Sequence, residues 1–111
     1  MDKLELFNAV ARVARPLHRE FTPVDSLDCS LKDTDLDSLD TLLVCVYLCE
    51  LYGIEEEKGK EIPFSTPQKI FDFLEEHKTR APSSVAEAVE MIKWRFISHM
   101  AERHQLAMYL N

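Results

Sequence analysis

From Leu39 to Tyr52 the chain is polar only at Asp40, Thr41 and Glu50. At about 100° per residue this run, read as a helix, carries apolar side chains in every direction. A helix apolar all round is normally covered on more than one side, so other elements have to pack around it. Gly53 supplies its stop, because glycine takes the left-handed conformation without a Cβ penalty, and Ile54 can add the accompanying apolar contact. The chain has 111 residues, enough for one small domain. Its two glycines leave little material for the tight turns of a β-rich fold. The expected fold class is all-α.

The remaining helices follow from periodicity and punctuation. Leu4, Phe7, Val10, Ala11 and Ala14 recur on one face of a first helix over about 2–15, which Pro16 ends. A long loop to Leu36 follows, with Phe21, Val24, Leu27 and Leu31 as its anchors to the core. After the apolar helix, 55–61 is a charged connection with room for a helical turn, and Ile62-Pro63-Phe64 is extended. Thr66 caps the next helix with Pro67 at its first position, and Ile70, Phe73, Leu74 and His77 form its inner face. Arg80-Ala81-Pro82 breaks the pattern. Ser84 and Glu87 have capping-box spacing, which predicts a final helix over about 85–108, roughly 36 Å long. The expected organisation is a helical bundle over 1–80 and a C-terminal helical extension over 81–111.

Composition narrows the partners. A formal charge of −7 argues against nucleic acid, since phosphate neutralisation needs clustered Lys and Arg. Basic protein surfaces are the better match. Cys29, Cys45 and Cys49 make no even-numbered framework, and no secretory leader pattern is visible, so a reducing cytoplasm is the expected compartment. The apolar run is far shorter than the roughly 20 residues that span a bilayer. Cys45 and Cys49 lie four apart on one helix face, yet no further ligands are spaced nearby, and free cysteine packs as a small hydrophobe. No metal site is expected.

At the head of the apolar run stands Asp37-Ser38-Leu39-Asp40-Thr41. A helix N-terminus presents unpaired N–H groups and the positive end of the macrodipole, so a phosphate esterified to a serine there is favoured. The plain alternative is an N-cap, a use for which both residue types are enriched. Leu51-Tyr52-Gly53-Ile54 closes the helix, and Gln68 of Thr66-Pro67-Gln68-Lys69-Ile70-Phe71-Asp72-Phe73-Leu74 follows Ser38 by thirty residues. With these motifs the chain resembles the acyl carrier proteins, over roughly its first seventy percent.

The resemblance implies a four-helix carrier bundle with an additional long C-terminal helix. It implies 4′-phosphopantetheine on Ser38 as a phosphodiester, with acyl groups carried as thioesters on the cofactor's thiol. Lipid, fatty acid or polyketide synthesis is the expected setting. Such a chain is a substrate-presenting partner and not an enzyme. A phosphopantetheinyl transferase would load it from coenzyme A with a divalent metal. Asp37 matches the aspartate that helps bind that metal, Asp37 and Asp40 assist recognition by the transferase, and Leu39 follows the attachment point. Acyl-transferring or ketosynthase-type enzymes would be the later partners. The family usually reads Asp-Leu-Gly-x-Asp-Ser-Leu, where this chain has Thr34 and Asp35 in place of leucine and glycine. Leu36-Asp37-Ser38-Leu39 also resembles D-alanyl carriers, which makes an aminoacyl or peptidyl cargo the sister reading. An unmodified helical interaction module is the competing class.

In the family the helix after the serine exposes several glutamates that steer it onto basic patches. Here Leu43, Val46, Cys49 and Glu50 stand at the corresponding surface, so apolar contact takes a larger share of partner recognition. The tail helix, packed near its start against the bundle, is expected to cover part of that surface. Leu48, Tyr52, Ile70, Phe71 and Leu74 are candidates to line an acyl space or simply to fill the core. In the tail, Val85, Val89, Ile92, Phe96, Met100 and Leu106 make one stripe, and Trp94, Ile97, Ala101 and Met108 a second. The second stripe suits a homodimer seam or a partner dock; a membrane edge is disfavoured by the absence of a basic face. His99 and His104 point in different directions and make no shared site.

Overall fold

The computed structural model describes residues 1–14 and 20–94. Its elements are α1 (Lys3–Ala14), a 3-10 turn (Leu31–Asp33), α2 (Ser38–Leu51), α3 (Glu56–Gly59) and α4 (Pro67–His77), followed by helical residues over 85–94. No strand occurs among the described residues. The apolar run is α2, and α1, α3 and α4 all pack against it. Tyr47, Leu48, Cys49 and Leu51 are all buried on it, as a segment apolar all round requires.

Both ends of α2 are closed by local chemistry. At its C-terminus Gly53 has φ +67°, Ile54 N–H donates to the Cys49 carbonyl at 2.9 Å, and Gly53 N–H donates to Glu50 at 3.2 Å. This is a Schellman motif, with Ile54 supplying the apolar contact. Residues that sequence punctuation marks only as a break then lock it. Thr79 Oγ1 donates to the Gly53 carbonyl at 2.6 Å and the Arg80 guanidinium to the Glu50 carbonyl at 2.5 Å. A side chain at 53 would clash with Thr79 Oγ1, so close approach as well as φ requires glycine.

α1 is capped by Asp2, whose Oδ1 accepts from Glu5 N–H at 3.1 Å. It buries Leu6, Phe7, Val10, Ala11 and Ala14. Leu6 takes a deeper place than Leu4, which is only partly buried. α4 begins as expected, with Thr66 Oγ1 accepting from Lys69 N–H at 3.1 Å and Pro67 in its first turn. Its inner face is corrected in one respect. Phe71 joins Ile70 and Leu74 as wholly buried, whereas Phe73 is half-buried and packs its ring on His77 at 4.7 Å. Phe71 is drawn inward by Tyr52, with ring centroids 6.4 Å apart in an edge-on arrangement. Fully burying a phenylalanine is worth about 1.5–3 kcal/mol, so the site facing a tyrosine holds the ring.

The tail joins the same core. Ser84 Oγ accepts from Glu87 N–H at 3.1 Å, and Ala88 and Ile92 belong to the buried cluster that includes α2. Val85 and Val89 are half-buried. Phe96, Ile97, His99, Met100, Ala101, His104, Leu106 and Met108 lie outside the described residues, as does Pro16.

Candidate functional site

The loop before α2 is held from three directions. Asn8 on α1 donates through Nδ2 to the Val24 carbonyl at 3.0 Å, and its Oδ1 accepts from Val24 N–H at 2.7 Å. The start of α4 adds two backbone bonds: Leu31 N–H to Ser65 at 3.0 Å and Gln68 N–H to Leu27 at 2.8 Å. Thr34 and Asp35 supply the rest. Thr34 Oγ1 donates to the Leu31 carbonyl at 2.6 Å and accepts from Leu36 N–H at 3.3 Å. Asp35 Oδ2 accepts from Thr22 N–H at 3.1 Å. No described residue other than glycine has positive φ, so position 35 has no need of glycine. Side chains here do the work that a flexible backbone residue would leave undone.

The cap of α2 is made by the aspartates. Asp37 Oδ1 accepts from Asp40 N–H at 2.8 Å, and Asp40 Oδ2 accepts from Asp37 N–H at 3.3 Å, a reciprocal capping box. Thr41 Oγ1 donates to the Asp37 carbonyl at 3.0 Å. Asp40 is 4% exposed, so its place is within the cap. Ser38 is the first helical residue, exposed, and its hydroxyl has no hydrogen bond to any described residue. The cap and the serine are therefore separate: Asp37 with Asp40 closes the helix end, and Ser38 is left available.

Ser38 opens into a groove of about 420 Å³ that is also lined by Leu31, Lys32, Leu36, Asp37, Thr41, Leu42 and Phe64. The motif gives no reason to single out Lys32 or Phe64. A signal for the first exists in the charge pattern, since Lys32 is the one Lys or Arg between Arg19 and Lys58.

The exposed face of α2 differs from the surface expected at Leu43, Val46, Cys49 and Glu50. Val46 is exposed, but Leu43 is half-buried against the core and Glu50 is half-buried. Cys49 is 8% exposed and is removed from that surface by α3. A Cβ at Gly59 would lie 3.3 Å from Cys49 Sγ, and glycine lets the turn close over it. The outward ridge is instead Leu39 (63% exposed), Leu42 and Val46, with Phe64 beside it. Trp94 is 69% exposed. A second cavity of about 310 Å³ lies where Tyr47, Glu50 and Leu51 of α2 meet Met91 and Ile92, with Arg80 at its wall. Met91 and Ile92 thus lie against the Tyr47–Leu51 side of α2, while Leu39, Leu42 and Val46 on another side are exposed.

Leu48, Tyr52, Ile70, Phe71 and Leu74 are at most 1% exposed. None of the five borders either cavity. The cysteines are unpaired with one another. Burial pushes the Cys45 thiol up to about 12, with Cys49 contributing further, and burial raises Cys49 as well. Neither is a ready nucleophile or ligand. No group of three or more His, Cys, Asp and Glu able to hold a metal occurs among the described residues, and no described helix is long and apolar enough to cross a membrane. Comparison with protein-family models, with curated proteins and with solved structures finds no match to this chain.

Proposed function

We propose that this chain is a carrier protein of the acyl carrier type, bearing 4′-phosphopantetheine on Ser38 and presenting acyl groups as thioesters to partner enzymes. The observation that carries the reading is the division of labour at α2: capping falls to Asp37 and Asp40, so the exposed Ser38 hydroxyl has no structural duty. A serine retained only as a cap would be expected to accept from the backbone itself. Gln68, in the Thr66-Pro67-Gln68 that opens α4, lies thirty residues after Ser38, in keeping with the same family's spacing. On this reading α1, α2, the short α3 and α4 are a carrier bundle and the tail is an addition to it.

Loading would follow phosphoryl-transfer chemistry. The Ser38 oxygen attacks the pantetheine-side phosphorus of coenzyme A, the pyrophosphate bridge breaks, adenosine 3′,5′-bisphosphate leaves, and the hydroxyl proton passes to the transferase. This chain's part is to present the hydroxyl at a helix end that favours negative charge and to offer Asp37 beside it. The thiol that carries cargo belongs to the cofactor, so the chain needs no base or nucleophile of its own. Cytoplasmic transferases and acyl-transferring or ketosynthase-type enzymes are the proposed partners. They would meet the ridge of Leu39, Leu42 and Val46 through apolar contact, and Trp94 offers a further contact to a partner enzyme or to a second copy.

The test is intact-mass analysis after co-expression with a broad-specificity phosphopantetheinyl transferase. One phosphopantetheinyl adduct per chain is expected, absent from Ser38→Ala. A chain that stays unmodified would overturn the carrier reading in favour of an interaction module. Mass analysis of the thioester then separates an acyl from an aminoacyl cargo.

A further inference from the structure

The groove beside Ser38 contains a charge that neither capping nor attachment uses. Asp33, Asp35, Asp37 and Asp40 surround the serine in sequence, and the only Lys or Arg from position 20 to 57 is Lys32. Lys32 lines the same groove as Ser38 and forms an ion pair with no described residue. It stands on a fixed support. The 3-10 turn Leu31–Asp33 is tied by Leu31 N–H to Ser65, by Asp33 N–H to Ser30 and by Thr34 Oγ1 to Leu31. An ammonium on such a turn is a compact, mobile point charge on an anchored stem, suited to a phosphate oxygen.

We propose that Lys32 is the counter-charge for a phosphodiester on Ser38, holding the phosphate end of the prosthetic arm in this groove. The inference rests on the carrier reading. A phosphodiester on Ser38 brings negative charge into a groove that already holds Asp37, and one helix end supplies only a partial opposite charge. Lys32, lining the same groove, supplies a full opposite charge. Beyond the phosphate the groove turns apolar at Leu42 and Phe64, both exposed, which suits the branched, dimethyl-bearing carbon that follows the phosphate in pantetheine. The arm would then leave Ser38 along one side of α2, toward Phe64, and would not extend freely into solvent.

The experiment compares apo and loaded chain by carbon-13 and phosphorus-31 NMR, with loading first confirmed by intact mass. The Lys32 ε-methylene resonance is expected to shift on loading while those of Lys60 and Lys69 stay in place. The phosphorus resonance of loaded Lys32→Gln should differ from wild type, Lys32→Arg should restore it in large part, and about 1 M salt should shrink the difference, as screening of an exposed pair requires. An adduct with an unmoved Lys32 resonance and the same phosphorus shift in Lys32→Gln overturns this inference and leaves the carrier reading standing. Absence of any adduct overturns both.

Discussion

At Asp37 a helix cap and, under the carrier reading, a contact to the loading enzyme's metal fall on one carboxylate. The two uses respond differently to substitution. Asparagine caps about as well as aspartate, so Asp37→Asn keeps an acceptor for Asp40 N–H and should hold stability within about 0.5 kcal/mol in urea unfolding. It loses the anionic metal contact, and loading by the transferase should slow by roughly tenfold or more. Asp37→Ala removes the cap and should cost about 1 kcal/mol as well as loading. If Asp37→Asn loads at the wild-type rate, the metal role is gone; if it is as unstable as Asp37→Ala, the capping account is wrong.

Among the elements, α2 is the one whose two flanks have different fates. Its Tyr47–Leu51 side meets the tail and its Leu39–Val46 side is open. Leu42→Glu places a charge on the open ridge and should change stability by no more than about 0.5 kcal/mol; under the carrier reading it should also reduce acyl transfer from partner enzymes. Leu43→Glu, one residue on, enters the half-buried layer and should cost about 1–3 kcal/mol. Equal denaturation midpoints for the two variants, or unimpaired transfer to Leu42→Glu, would contradict this division of the helix.

What the sequence makes legible on α2 is what neighbours in the chain decide. Gly53 and Ile54 form the stop that their order suggests, and Thr66 with Pro67 opens α4, because caps involve groups only a few residues apart. Ser38 as the exposed residue of the motif is likewise local, since Asp37 and Asp40 complete their box without it. The burial of Cys49 is not local. It depends on α3 folding back so that Gly59 reaches Sγ, and the wheel of α2 contains no trace of that. Phe71 and Phe73 are equally apolar, and only the position of Tyr52 decides between them. Lys32 was readable as an isolated cation, but its groove is made by Phe64, far along the chain.

For the whole molecule, the buried hydroxyl and thiol groups set a limit at alkaline pH. Cys45 has its thiol raised from 9.0 to about 12 by burial first and then by Cys49. Cys49, Tyr47 and Tyr52 are also raised, each chiefly by burial. In the unfolded chain a thiol loses its proton near its ordinary value, whereas the folded chain retains it. The folded state therefore binds more protons from about pH 9 upward, and stability falls as pH rises through that window. Urea midpoints measured with reductant should decline between about pH 8 and pH 10.5, and Cys45→Val should flatten the decline. A midpoint that stays level for the wild type would show that these groups are not shielded as described. Glu75 acts at the other end. Its carboxyl is lowered by the bond from Lys78 first, and by Lys3, so its small surface contribution is lost as pH falls below the usual carboxylate range.

Asn8 gives the loop before α2 an unusual dependence. Its amide meets both backbone groups of Val24, in the way that one strand meets another, so the stretch leading to Ser38 is docked on the opening helix of the chain. The serine's surroundings are consequently inherited from residues thirty positions upstream of it. A change in α1, remote in the sequence from any motif, would be felt first as a misplaced Ser38 and only later as a loss of fold.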